Sequence, residues 1–90
     1  MKEVKVEIIE TDPPCACCRA AMKAVEKVAE KLKQVGIMVN IRKINIMSKE
    51  TVQKYGVLVP PAIAINNTVK FMERVPNPDE IEKLIKEVAR

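Results

Sequence analysis

Ninety residues, 48% hydrophobic and 31% charged, suit one domain around one core and exclude a disordered chain. The net charge of +4 comes from lysines interspersed with glutamates, the pattern of solvated helix faces, and no basic cluster has aromatics beside it, so nucleic acid is not an expected partner. With no histidine and only two glycines, Ser/His/Asp catalysis and glycine-rich phosphate loops are set aside. No apolar run approaches the roughly 18 residues of a membrane span, and the start, "MKEVKVEIIE", reads as a charged strand rather than a signal peptide. A cytoplasmic, monomeric protein is expected.

Val4, Val6 and Ile8 alternate with Lys5 and Glu7, which predicts a first strand over residues 3–10. "TDPP" then breaks it, since Pro13 and Pro14 can neither pair nor continue a strand. From Cys15 a helical period follows, with Cys18, Met22, Val25, Ala29 and Leu32 as its apolar stripe, and Gly36 is a natural stop. A second strand is expected over residues 37–46. Ser48 can cap a short helix that runs through Tyr55 and ends at Gly56.

"AIAI", residues 62–65, reads as a short apolar strand. Asn66 and Asn67 suit a tight hairpin because asparagine tolerates positive φ. The returning strand, "TVKFME", is expected to turn Val69, Phe71 and Met72 inward. The last helix carries the clearest start signal: Asn77 as N-cap, Pro78 in the first turn and Glu80 as the capping-box acid. Ile81, Leu84, Ile85 and Val88 form its buried stripe. The order βαβαββα implies a parallel first pair, an antiparallel hairpin and a mixed sheet of four strands with helices on both faces.

All three cysteines, Cys15, Cys17 and Cys18, fall at the start of the first helix. Residues three apart share a helix face, so the sulfurs of Cys15 and Cys18 can come within disulfide reach. Cys15, at the N-cap, meets the unpaired N–H groups and the positive end of the dipole, which favour a thiolate. Cys18 lies on the buried side and is shielded. The asymmetry makes Cys15 the attacking thiol and Cys18 the resolving one. An alternative uses Cys15, Cys17 and Cys18 together as a soft-metal or metalloid site, because soft ions prefer sulfur. Cys17 is otherwise an exposed small residue, or an alternative disulfide partner and site for mixed disulfides.

Three stretches together resemble small prokaryotic thioredoxin-like proteins of the thioredoxin/glutaredoxin superfamily, in the group of redox-active disulfide proteins: "CACC" at the helix start, "VPPAIAI" before the hairpin, and "VKFMERVPNPDEIEKL". The resemblance covers essentially the whole chain. It implies a thioredoxin-like α/β fold and a thiol–disulfide oxidoreductase that needs no cofactor. Its partners would be a disulfide-containing protein or small molecule and a thiol reductase or small-thiol electron donor. It also implies that Pro61 is a cis-proline lying against the dithiol. Two departures stand out. Ala16 and Cys17 replace the Gly-Pro or Pro-Tyr usual between the thiols, and Pro60, lacking an N–H, cannot offer the donor that the family presents to a peptide substrate.

Elsewhere, Glu7 and Lys5 stand on a strand expected to be central. Glu7 there suits an ion pair or a partly exposed strand end better than a proton-relay acid beneath the thiols. Met22, Met38, Met47 and Met72 read as core filler, and Tyr55 as packing without a polar partner.

Overall fold

The alternating N-terminal segment forms β1 (Lys2–Glu10) in the computed structural model, which describes residues 2–89. After it come α1 (Ala16–Lys33), β2 (Ile37–Asn45), α2 (Lys49–Tyr55), β3 (Ala62–Ile65), β4 (Thr68–Met72) and α3 (Pro78–Val88). The four strands lie in the order β2-β1-β3-β4. β1 runs parallel to β2, with Val4 opposite Val39 and Ile9 opposite Ile44. It runs antiparallel to β3, with Ile9 opposite Ala62. The expected mixed sheet and element order are therefore present.

Alternation along β1 divides the apolar residues between two layers. Val4, Val6 and Ile8 pack with Ala21, Val25, Val28 and Leu32 of α1 and with Ile81 and Ile85 of α3. On the opposite face Ile9, Ala62 and Ala64 pack with Ile46, Tyr55 and Leu58. Helices α1 and α3 thus cover one face and α2 the other. Each buried Val, Leu or Ile contributes about 1.5–3 kcal/mol relative to exposure.

The ends of the elements follow local chemistry. Ser48 Oγ accepts the Thr51 N–H at 3.2 Å, and α2 stops at Gly56, where φ is +79°. At α3, Asn77 Oδ1 accepts the Asp79 N–H at 2.9 Å and Glu80 accepts the Asn77 N–H at 3.1 Å. Arg74 grips the same Glu80 carboxylate with two bonds of 3.2 and 2.8 Å. That grip, aided by the Asn77 N–H, draws the Glu80 carboxyl down to about 2. Asn66 and Asn67 take the positive φ values (47° and 70°) that the hairpin requires.

Four expectations need correction. The face of α1 is rotated by about one residue: Ala21 and Val28 are fully buried, whereas Met22 and Ala29 are only half-buried. In β4, Phe71 pairs with Ile63 but Val69 pairs with Ala64, so Lys70 is an extra, bulged residue. Val69 and Phe71 therefore serve opposite faces instead of one. Met72 ends this edge strand 42% exposed and does not turn inward. Nor are the methionines uniformly core filler: Met22 is half-buried and packs against the α1/α3 core as expected, Met38 is half-buried, and Met47, in the turn after β2, is 81% exposed.

Candidate active site

The segment Thr11–Cys15 carries the chain from the end of β1 to the start of α1. Cys15 is the N-cap of α1, with extended backbone (φ −75°, ψ 171°), and its Sγ accepts the Cys18 N–H at 3.2 Å. The sulfur thus occupies the place usually taken by a Ser, Thr or Asp oxygen. Cys15 Sγ and Cys18 Sγ stand 2.7 Å apart, within reach of bond formation. Cys18 is fully buried, Cys15 half-buried and Cys17 exposed.

Several contacts favour a charged Cys15 sulfur. The Cys18 thiol contributes most, followed by the Cys18 N–H, with smaller help from the Thr11 hydroxyl and the Cys17 N–H. Against a modest desolvation cost, they hold the Cys15 thiol below its usual range. The first turn of α1 contains no acidic residue that would repel a Cys15 thiolate. Arg19, one turn on, donates to the Pro14 carbonyl at 3.0 Å and fixes the loop from below.

Thr11 is the residue that sequence reasoning missed. Its hydroxyl accepts the Cys15 N–H at 3.1 Å, donates to the Pro13 carbonyl at 2.9 Å, and stands 3.9 Å from Cys18 Sγ. A threonine four residues before a cysteine carries a weak local signal, because the contact depends on how two prolines fold the loop. The Asp12–Pro13 peptide bond there is cis, and so is Pro60–Pro61.

Pro61 is buried and stands just before Ala62, whose pairing with Ile9 puts it at the end of the sheet from which the cysteine loop departs. Its carbonyl accepts the Glu73 N–H at 3.1 Å, tying down the end of β4. Pro60 beside it is half-buried.

The chain matches a thioredoxin domain family model over residues 2–86. It belongs to the thioredoxin family. A thioredoxin of Methanocaldococcus jannaschii is 36% identical over 73 residues, covering 80% of this chain and 81% of that protein. A probable thioredoxin of Methanothermobacter marburgensis is 39% identical over 70 residues, with 77% and 78% covered. Among solved structures, oxidised thioredoxin from Plasmodium falciparum superposes with a TM-score of 0.64 at 17% identity, covering 99% of this chain and 84% of that one, a likeness of fold. Reduced MJ0307 superposes at 0.52 with 33% identity, covering 97% and 98%. As a thioredoxin-family member the chain is a thiol–disulfide oxidoreductase, of the class that acts on disulfides and is served by reductases.

Two further readings change with the structure, and a third is resolved by it. Cys17 points to solvent while its neighbour Cys18 is buried, and no three potential ligands converge among the described residues. The three-thiolate metal site is therefore not assembled. Tyr55 is not mere packing: its hydroxyl donates to Glu7 Oε1. Glu7, with its side chain only 2% exposed, is the expected ion pair and not a partly exposed strand end; Lys54 Nζ lies 3.1 Å and Arg42 3.9 Å from its carboxylate. Burial raises the Glu7 carboxyl, but the Tyr55 hydroxyl and Lys54 outweigh it, with Lys5 adding a little, and the net shift is downward. That carboxylate is committed to α2 and bonds neither sulfur. No helix among the described residues is long and apolar enough to cross a membrane.

Proposed function

We propose that Cys15 is the attacking thiol, Cys18 the resolving thiol, and Pro61 the buried cis-proline that shapes the surface a substrate meets. The observation carrying this reading is the 2.7 Å pairing of the two sulfurs with Cys15 as helix cap. The more acidic, accessible sulfur is the better nucleophile at neutral pH, and the shielded one is kept from solvent until needed.

In the forward direction the Cys15 thiolate attacks one sulfur of a disulfide, forms a mixed disulfide and expels the other sulfur as a thiolate. Cys18 loses its proton to solvent and attacks Cys15 Sγ. The Cys15–Cys18 bond forms, the bond to substrate breaks, and the substrate departs with the two electrons that the dithiol gave up. The electrons reside on the sulfurs, so no bound cofactor enters. A thiol reductase or a small thiol restores the dithiol.

The setting of this chemistry is one domain spanning 1–90, monomeric and cytoplasmic, serving electron transport and redox homeostasis in a glutaredoxin-like size class. Charged Arg42 and Lys43 on the edge strand β2 oppose strand-to-strand association and support the monomer. Exposed Val57, Val59 and Val75, around Pro61 and just beyond β4, support an apolar contact surface at the dithiol end.

A redox titration with alkylation and thiol counting by mass tests the assignment. Two thiols should disappear together, in the range of about −180 to −270 mV spanned by known exchange proteins. The same two-thiol loss should persist in C17S and vanish in C15S. Three thiols that remain reduced across the range would overturn the proposal.

A further inference from the structure

Cys18 must do something its surroundings resist. It is fully buried, yet it attacks as a thiolate, and a buried charge without a donor is costly. Among the described residues its sulfur has two polar neighbours, Cys15 Sγ at 2.7 Å and Thr11 Oγ1 at 3.9 Å. Once Cys15 is joined to a substrate, its sulfur has no proton to give. Thr11 then remains.

The Thr11 hydroxyl is suited to change partners. Its oxygen is held by the Cys15 N–H at 3.1 Å, which fixes its position whichever way the proton points. In the dithiol it donates to the Pro13 carbonyl at 2.9 Å. Pro13 is exposed, so water can replace that bond when the hydroxyl turns away. A hydroxyl proton turns about its C–O bond without moving the oxygen, and the sulfur can draw closer by rotation about its own χ1.

We infer that Thr11 is a catalytic residue of the resolving step, its hydroxyl turning from the Pro13 carbonyl to donate to the Cys18 thiolate while Cys15 is held in the mixed disulfide. The inference rests on the assignment of Cys15 as attacking and Cys18 as resolving thiol. The bond is lost again when Cys18 forms its bond to Cys15 Sγ and the substrate thiolate leaves. No atom or electron is exchanged with Thr11; it lowers the free energy of the charged nucleophile. The hydroxyl also contacts Cys15, so its removal affects both halves of the exchange, but unequally. Cys15 keeps the Cys17 and Cys18 N–H groups as donors, whereas Cys18 is left with none.

The experiment uses the C17S protein, reduced, mixed with a stoichiometric aromatic disulfide whose released thiolate absorbs visible light. Capture by Cys15 releases one thiolate and resolution by Cys18 a second, so the two phases are read separately. T11V should slow the second phase about tenfold, as expected for loss of a hydrogen bond to a charged group, and slow the first several-fold less. It should also move the pH dependence of the second phase upward, and T11S should restore both. A second phase unchanged in T11V, or T11S as slow as T11V, overturns the inference. Absence of any second phase in the C17S parent instead overturns the assignment of the resolving thiol.

A measurement on the C17S protein without change at Thr11 covers the case in which T11V does not fold. With Cys15 capped by iodoacetamide, the Pro13 carbonyl ¹³C resonance should shift as rising pH ionises Cys18, because the hydroxyl leaves that carbonyl. A resonance that stays put overturns the inference.

Discussion

The two faces of the sheet are held by different physics. Under α1 and α3, Val4, Val6, Ile8, Val25, Leu32, Ile63, Ile81 and Ile85 meet in one aliphatic layer, joined by Phe71. Under α2 the apolar cluster is smaller, and a nearly buried carboxylate, Glu7, lies on the same face, tied to the helix by Tyr55 and Lys54. The first face depends on area, which is non-directional and tolerant of how side chains are arranged. The second depends on a few directed contacts, and losing one leaves a buried charge short of a partner. The aliphatic face should therefore store most of the global stability, while the α2 face should be where local opening and pH sensitivity concentrate.

Shortening a side chain in the aliphatic layer should have the largest effect. Ile85→Ala is expected to cost about 2–5 kcal/mol, read as a fall in the thermal midpoint. A cost below about 1 kcal/mol would mean that the α1/α3 face is not the main store.

The next effect sharpens the contrast. Tyr55→Phe removes a donor to Glu7 and should cost about 1–3 kcal/mol. Because the Glu7 carboxyl is depressed, its contribution is fully present above its ordinary range, near 4.5, and is lost as pH falls through the depressed value. Hydrogen exchange should thus show α2 amides losing protection in acid before those of α1. In Tyr55→Phe that loss should begin at higher pH, since a group holding the carboxyl down is gone. Equal sensitivity of α1 and α2 would break the comparison.

The smallest effect is expected outside both layers. Met47→Ser, in the β2–α2 turn where the side chain is 81% exposed, should change stability by less than about 0.5 kcal/mol, measured by denaturant unfolding. A larger loss would show that the turn belongs to the α2 face energetically.

The same division explains what the sequence disclosed. Periodicity found β1, the α3 stripe, the Ser48 and Asn77 caps and the asparagine hairpin, because each depends on residues close in the chain. The position of Cys15 at the start of α1 was legible for the same reason. The bulge at Lys70 was not, since it is a relation between β3 and β4, and it moved Val69 to the other face. Glu7 and Tyr55 lie 48 residues apart, and nothing local to either announces the other. Thr11 was hidden by a different cause: its contacts are short in sequence but depend on the path through Pro13 and Pro14. Metal ligation by three closely spaced cysteines failed on orientation, because adjacent helical positions such as Cys17 and Cys18 point apart.

The sulfur that caps α1 links the mechanical state of the helix to the chemical state of the pair. As a thiolate, Cys15 is a strong acceptor for the Cys18 N–H and a counter-charge for the dipole. As half of a disulfide it is neutral and a weak acceptor, so the same helix loses its counter-charge and much of its cap. Whatever free energy the cap gives the dithiol is therefore withheld from the disulfide, and by linkage it makes the protein a stronger oxidant by an equal amount. Strengthening the cap through the Cys15 thiolate and raising the oxidising power of the pair are thus one operation.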